Sequence, residues 1–283
     1  MEVTERAFAK INISLDVTAA RDDGFHEVIT VMQSVALCDD VTVSVVPGEG
    51  SFASGRGLPR DGRNTAVKAA DAFFAFTGIS GYRAEIALEK RIPVGAGLGG
   101  GSADAAAVLR ALNTAFQTEL SPEFLRILGE AVGSDVPFCV EGGTALARGR
   151  GEIITPLAPF PNCEIVIVKP AFSVSTAVLF AAIDRVKVRR HPDTDGLLEA
   201  IESGSLHHAV RYLYNVFEDV LPAQHAAEIS EIKTKLIDAG ALGAIMTGTG
   251  SAVFGVFESG GPPSPAMQAA DVLKEDYREV FVC

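Results

Sequence analysis

The run Pro93-Val94-Gly95-Ala96-Gly97-Leu98-Gly99-Gly100-Gly101-Ser102 constrains this 283-residue chain more than any other stretch. Glycine at alternate and then consecutive positions frees the backbone for positive φ and lets another group approach it closely. Each interior glycine also costs conformational entropy, so a plain turn is a poor explanation for the run. It follows an alternating apolar and polar segment, 82–88, and precedes an Ala- and Leu-rich segment, 103–116, of good helix propensity. A glycine loop between a strand and a helix N-terminus presents oriented N–H groups to an anion, and the expectation is a phosphate cradle.

Two common phosphate sites fit poorly. Gly95, Gly97 and Gly100 satisfy G-x-G-x-x-G, but the preceding segment is not the apolar first strand of a β-α-β unit that a dinucleotide site requires. The P-loop pattern needs Lys before Ser102, where Gly101 stands. Ser102 still offers a hydroxyl to phosphate or to phosphate-bound Mg²⁺.

Composition removes other classes. Lys and Arg number 24 against 36 Asp and Glu, a net charge of −12, so no broad basic field draws in a nucleic acid, although a pocket of N–H groups can still bind a small anion. With 48% hydrophobic and 21% charged residues the chain is globular, and its length suits two modest domains. Cys38, Cys139, Cys163 and Cys283 are scattered without C-x-x-C spacing, which predicts free thiols and neither a disulfide framework nor a zinc site. No apolar run approaches the ~20 residues that span a bilayer, and the N-terminal residues lack an apolar leader core; a soluble, cytoplasmic protein is expected.

Periodicity predicts strands over 7–17, 41–45 and 82–88, and helices over 66–76, with Asn64 as N-cap, over 103–116, and from Ser121-Pro122 onward. The proline-dense segment 156–161 separates this half from a short buried strand, 164–168. Beyond it the pattern predicts helices over 176–183, 205–217, 226–239 and 266–275, and strands over 244–247, 252–257 and 280–282. That order suits an α+β sandwich with helices on one face of an antiparallel sheet. Lys10 is an isolated cation in an apolar strand; it needs a partner such as Asp135 or a phosphate, unless it lies on a sheet edge. Asp135, in Gly133-Ser134-Asp135-Val136-Pro137, could take the proton of an alcohol or simply cap the next turn.

Ala9-Lys10-Ile11-Asn12, the loop from Pro93 through Ser102 to Ala103, and Thr247-Gly248-Thr249-Gly250-Ser251 stand in the order of three motifs of the GHMP kinase superfamily (galactose, homoserine, mevalonate and phosphomevalonate kinases), which the chain resembles from about Lys10 to Phe257. The resemblance implies the α+β, two-domain GHMP kinase fold, with an N-terminal ribosomal-protein-S5-like α/β domain over 1–157 and a C-terminal ferredoxin-like α/β sandwich over 158–283. Asp23-Gly24-Phe25-His26-Glu27, Gly133-Ser134-Asp135-Val136-Pro137-Phe138 and Gly149-Arg150-Gly151-Glu152 resemble one branch in particular. That branch phosphorylates the 2-hydroxyl of a cytidine diphosphate-linked methylerythritol in non-mevalonate isoprenoid biosynthesis.

By the same resemblance Asp135 activates the acceptor hydroxyl and Lys10 supports the developing charge. Asn64 lies near the adenine of ATP. Pro93, Val94, Gly95, Ala96, Gly97, Leu98, Gly99, Gly100, Gly101, Ser102 and Ala103 carry the phosphates, and Gly248, Thr249 and Gly250 close from the other domain. His26 hydrogen-bonds cytosine between Phe25, where many members have Tyr, and Phe180; Asn12 and Thr176 touch the same ligand, and Arg150 lies near its pyrophosphate. Asp104, where Asn is common, is expected in the first turn of the following helix. The implied cofactors are ATP and Mg²⁺, the metal held mostly through phosphate oxygens with no dedicated protein ligand. The partner is a small-molecule substrate, with no nucleic acid or membrane, and the protein is a monomer or homodimer. A homoserine, mevalonate or sugar kinase is the alternative within the superfamily; Phe25 and His26 argue against it, because a nucleobase needs a flat surface and a small polyol does not. A non-catalytic nucleotide-binding module would not need Lys10 and Asp135 together.

Overall fold

Alternation over 7–17 extends in both directions into a long hairpin. The computed structural model describes residues 1–186 and 188–283. In it β1 (Glu2–Ala20) returns along β2 (His26–Pro47), from Glu2 opposite Ser44 to Ala20 opposite His26. The predicted 41–45 strand is only the end of β2. Register shifts between Phe8 and Lys10 and between Asn12 and Ser14 bend the hairpin, as bulges do, beside two of its buried polar residues, Lys10 and Asn12. The far half of β2 pairs with β4 (Tyr82–Glu89), outside which β3 (Phe52–Ser54) runs parallel; Thr30–Gln33 pair instead with β5 (Thr144–Arg148), which pairs with β6 (Ile153–Pro156).

Helices α1 (Thr65–Thr77), α2 (Gly100–Phe116), α3 (Pro122–Glu130) and α4 (Val136–Glu141) complete this half. α2 packs against α1, α3, α4, β1 and β2, and buries Ala103, Ala105, Ala106, Ala107, Ala111 and Ala115 around its circumference. Alanine lets neighbouring backbones come close on several sides, leaving the helix a short polar stripe of Arg110, Asn113 and Thr114 toward its C-terminus. It begins three residues before the predicted start, so the last glycines of the loop are its first turn.

The second sheet is antiparallel in the order β11-β7-β10-β9, from β7 (Glu164–Lys169), β9 (Gly243–Met246), β10 (Val253–Phe257) and β11 (Glu279–Val282). Its residues alternate between two cores. Val166, Val168, Met246, Val253 and Phe257 pack with α8 (Ala223–Asp238) and α9 (Pro265–Leu273). Ile165, Ile167, Ile245, Phe254 and Val256 join the core of the first half, together with α6 (Thr194–Glu202), which periodicity did not predict. Burial on both faces is the reason 165–168 reads as an unbroken apolar run. α5 (Thr176–Ile183) forms where predicted.

The helix predicted over 205–217 is corrected. In its place stand α7 (Leu206–Ala209), a 3-10 turn over Val210–Tyr212, β8 (Tyr214–Asn215) and a second 3-10 turn over Val216–Val220. β8 leaves its own half to pair in parallel with β1, Tyr214 opposite Ser14 and Asn215 opposite Leu15. Asn215 stops the helix because its Oδ1 accepts from the Phe217 N–H at 3.0 Å, a local side-chain bond that competes with the helical one. Among the described residues no helix is long and apolar enough to cross a membrane.

Tight packing around α2 yields a stability test. Ala107→Leu is expected to destabilise the protein by about 1–3 kcal/mol through overpacking, read as a lower urea midpoint, whereas Ala107→Gly is expected to cost about 1 kcal/mol through helix propensity.

Candidate active site

Two glycine loops meet at the centre of a cleft of about 830 Å³ between the halves. Gly95, Gly97 and Gly99 hold φ of 68°, 79° and 68°, and Gly248 and Gly250 hold 56° and 80°. A Cβ on Gly97 would run into the Thr247 carbonyl oxygen, and one on Gly248 would stand 3.0 Å from the Gly97 carbonyl oxygen. The Ala252 N–H donates to the Ala96 carbonyl at 3.1 Å and the Lys10 N–H to the Leu98 carbonyl at 3.0 Å, fixing the first loop to both halves. Gly99, the N-cap of α2, has no side chain to cap it, so the N–H groups of Gly100, Gly101 and Ser102 lack intrahelical partners. This is the anion-binding geometry expected of the loop.

Lys10 and Asn12 project from β1 beneath that loop, 5% and 2% exposed. Lys10 Nζ donates to Asn12 Oδ1 at 2.8 Å and lies 3.4 Å from Asp135 Oδ2, so it has the carboxylate partner that its burial requires. Asn12 Nδ2 donates to Thr30 Oγ1 at 2.8 Å, and its backbone N–H donates to Thr247 Oγ1 at 3.0 Å. Its side chain therefore orients Lys10 and ties it to the second loop. Asp135 occupies the N-cap position of α4 in αR geometry and its side chain caps nothing, which leaves the carboxylate facing the cleft with Ser134 and Ser102.

A side cavity of about 350 Å³ opens from the loop toward Asn64 and is also lined by Pro93, Val94, Gly100 and Gly101. Asn64 Oδ1 caps α1 through the Ala66 N–H at 3.0 Å, as predicted, and Nδ2 donates to the Pro59 carbonyl at 3.0 Å. Beneath this cavity Lys90 Nζ donates to Asp39 Oδ2 at 2.5 Å and Asp104 Oδ2 at 2.6 Å, while Asp39 Oδ1 accepts from the Arg91 and Ile92 N–H groups. Asp104 lies past the first turn of α2, and Lys90, not the helix terminus, offsets its charge. Asp104 Oδ1 is buried without a partner, and burial, opposed by Lys90, pushes its carboxyl up to about 6.

The opposite end is aromatic. His26, the first residue of β2, lies 4.6 Å from the Phe180 ring at 30°, and its Nε2 pairs with Asp184 Oδ1 at 2.8 Å. Phe180 thus lines the cleft. Phe25 is 51% exposed, with the Arg150 guanidinium 5.1 Å over its ring; Arg150 also pairs with Glu130 at 3.1 Å. Thr176 Oγ1 and Thr249 Oγ1 are 2.9 Å apart, joining α5 to the second loop. Lys10, Asn12, Asp135 and this aromatic set line one cleft, while Asn64 lines the side cavity. Asp184, Thr30 and Lys90 were not singled out from sequence; isolated polar residues in ordinary surroundings give no periodic signal.

Residues 64–143 match the GHMP kinases N terminal domain and 197–278 the GHMP kinases C terminal domain, more than half of the chain together. The chain belongs to the GHMP kinase family. It is accordingly a phosphotransferase for a small-molecule substrate, in a family whose phosphate donor is ATP. This GHMP kinase is 41% identical to the 4-diphosphocytidyl-2-C-methyl-D-erythritol kinase of Caldicellulosiruptor saccharolyticus, over 98% of this chain and 94% of that protein. It is also 41% identical to the protein of that name from Clostridium kluyveri, over 98% of each. A crystal structure of 4-(cytidine 5'-diphospho)-2C-methyl-D-erythritol kinase superposes with a TM-score of 0.78 at 34% identity, covering 99% and 98% of the two chains. Homoserine kinase from Cytophaga hutchinsonii, with a TM-score of 0.72 at 20% identity over 99% and 94%, shares the fold.

The Asp104 carboxyl gives this GHMP kinase a pH signature. Its folded-state value lies above the unfolded one, so the native state binds the extra proton between about pH 4 and 6. The stabilisation is complete below pH 4 and is lost as pH rises through about 6. Between pH 5 and 8 the loss is about 1 kcal/mol. Asp104→Asn is expected to remove that loss, so urea unfolding at the two pH values should show the variant gaining on the parent as pH rises; parallel profiles would refute the assignment.

Proposed function

We infer that this GHMP kinase transfers the γ-phosphoryl group of ATP to the 2-hydroxyl of a cytidine diphosphate-linked methylerythritol, the activity its curated relatives are named for, in the non-mevalonate route to isopentenyl diphosphate. The observation that carries the reading is the aromatic end of the cleft. His26 and Phe180 form a pair of tilted rings 4.6 Å apart, and the exposed Phe25 ring under Arg150 lines the same cleft; a base can stack on these ring faces, and a small polyol gains nothing from them. In this reading Asn12 and Thr176 hold the acceptor's polar groups and Arg150 its pyrophosphate, while Asn64 borders the adenine and the Pro93–Ala103 run and Gly248, Thr249 and Gly250 border the phosphates.

The transfer itself is positioning and electrostatics. Asp135 takes the proton of the acceptor hydroxyl, whose oxygen forms the new bond to the γ-phosphorus as the bond to the bridging oxygen of ADP breaks. Lys10 holds the carboxylate in line and offers positive charge to the phosphoryl oxygens. Mg²⁺ fits this donor set as an ion carried by the nucleotide, with the Ser102 hydroxyl at the helix N-terminus available to it or to the phosphate. When bound it neutralises phosphate charge.

The domain boundary belongs at 157/158: β6 ends at Pro156 in the first sheet and β7 opens the second, which supports it. One chain supplies the cleft's lining, which suits a monomer or a homodimer with independent sites, and the expected location is the cytoplasm.

Coupled ADP release with ATP and Mg²⁺ tests the acceptor. Turnover is expected with 4-diphosphocytidyl-methylerythritol and not with homoserine, mevalonate or galactose; turnover with one of those three, or with none of the four, would overturn the reading. Asp135→Asn is expected to lower kcat by about 10²–10⁴-fold with KM for ATP changed less than about threefold. Near-parental kcat would remove Asp135 from the mechanism.

A further inference from the structure

Two side chains outside the cleft lining surround the root of the second glycine loop. β9 is the edge of its sheet, and Met246 stands opposite Val253 of β10. The neighbouring Thr247 N–H donates inward to the Ala252 carbonyl, so the N–H and carbonyl of Met246 turn to the open edge. Asn215 and Glu218 fill that edge. Asn215, 2% exposed, donates through Nδ2 to the Met246 and Gly248 carbonyls, each at 2.8 Å. Glu218 Oε1 accepts from the Met246 N–H at 2.8 Å, and its Oε2 is held by Lys233 Nζ at 2.5 Å.

The bond to Gly248 matters most. A peptide unit is planar and trans, so its carbonyl and the next residue's N–H point in opposite directions. Drawing the Gly248 carbonyl inward to Asn215 turns the Thr249 N–H the other way, toward the cleft that Gly248, Thr249 and Gly250 line. The strand that carries Asn215 is itself paired to β1 at Leu15, three residues beyond Asn12. We propose that Asn215 is a positioning residue for phosphoryl transfer: it fixes the Gly248–Thr249 peptide so that the Thr249 N–H is presented to the phosphates of ATP, in register with Lys10 on the neighbouring strand.

The proposal rests on the inferred use of ATP at this loop but not on the identity of the acceptor. Binding of ATP and of adenosine to the full chain, by calorimetry or competition, therefore tests it separately. Asn215→Leu keeps the size and removes both donors; Thr249→Pro, read against a Thr249→Ala control that lacks only the hydroxyl pairing with Thr176 Oγ1, removes the N–H and leaves Asn215 in place. Each is expected to weaken ATP binding by ~10-fold or more while adenosine affinity stays within about twofold. Loss of ATP and adenosine affinity in proportion would mean a general structural role and overturn the proposal. So would unchanged ATP affinity in Thr249→Pro, which decides the matter even where Asn215→Leu fails to fold. Absence of ATP binding in the parent protein would instead refute the ATP reading on which the proposal stands.

Discussion

At position 97 the space that a Cβ would occupy is taken by the Thr247 carbonyl oxygen, and at 248 the Gly97 carbonyl crowds the same space from the other side. This contact between two backbones requires glycine on both, and much of the site follows from it. It brings the N-terminus of α2 and the 247–251 loop to one cleft, with the Ala252 N–H on the Ala96 carbonyl and Asn12 on Thr247 as cross-ties. Side chains would hold the halves further apart, and the N–H groups on the two sides would then be too distant to share one phosphate chain. The contact also explains how a chain of net charge −12 can serve a polyanionic substrate: the nearest donors are neutral amides whose direction is fixed by backbone geometry.

The elements legible in the sequence were those governed by local chemistry. Glycine periodicity, the Asn64 and Ser121 caps and the alternation in β1 and β4 each carry their information within a few residues, and the corresponding elements formed at the positions read. Lys10 and Asp135, 125 positions apart, met because the motifs they resemble meet in a known fold; spacing alone gives no hint of their 3.4 Å approach. The reading failed at 205–217, where apolar periodicity suggested a helix while Asn215 was engaged by carbonyls more than 30 residues away. Propensity cannot see such partners. Most of β2 was hidden for a related reason, since its halves pair with different strands and are buried on different faces, so no single alternation runs through it.

Buried charges are costly unless they are satisfied, and this structure places ionic groups on two sides of the first glycine loop. The Asp39–Lys90–Asp104 group anchors the strand end that delivers the first glycine loop, with Asp39 also accepting two backbone N–H groups there. Lys10 and Asp135 lie under the same loop from the other side, with Gly99 packed so close that a Cβ would stand 2.9 Å from Lys10 Cγ. Hydrophobic replacements of these ions would not hold the loop's amides in direction. The ionic groups therefore contribute alignment, whatever their net effect on stability.

Alignment also bears on how charge moves in the proposed reaction. Before transfer the Lys10 ammonium is shared between Asp135 and Asn12, and Arg150 is shared between Phe25 and Glu130, so these cations enter with their charge already partnered. When Asp135 receives the acceptor's proton its negative charge disappears, and the pairing that held Lys10 weakens at that moment. The ammonium, still oriented by Asn12, is then free to favour the phosphoryl oxygens as the new bond forms. A cation released by the proton transfer interacts more strongly with the transition state than with the bound substrates, which is the condition for an electrostatic contact to raise kcat instead of merely tightening binding. Asn12 is essential to that sequence, because without a second anchor Lys10 would follow the departing charge out of line.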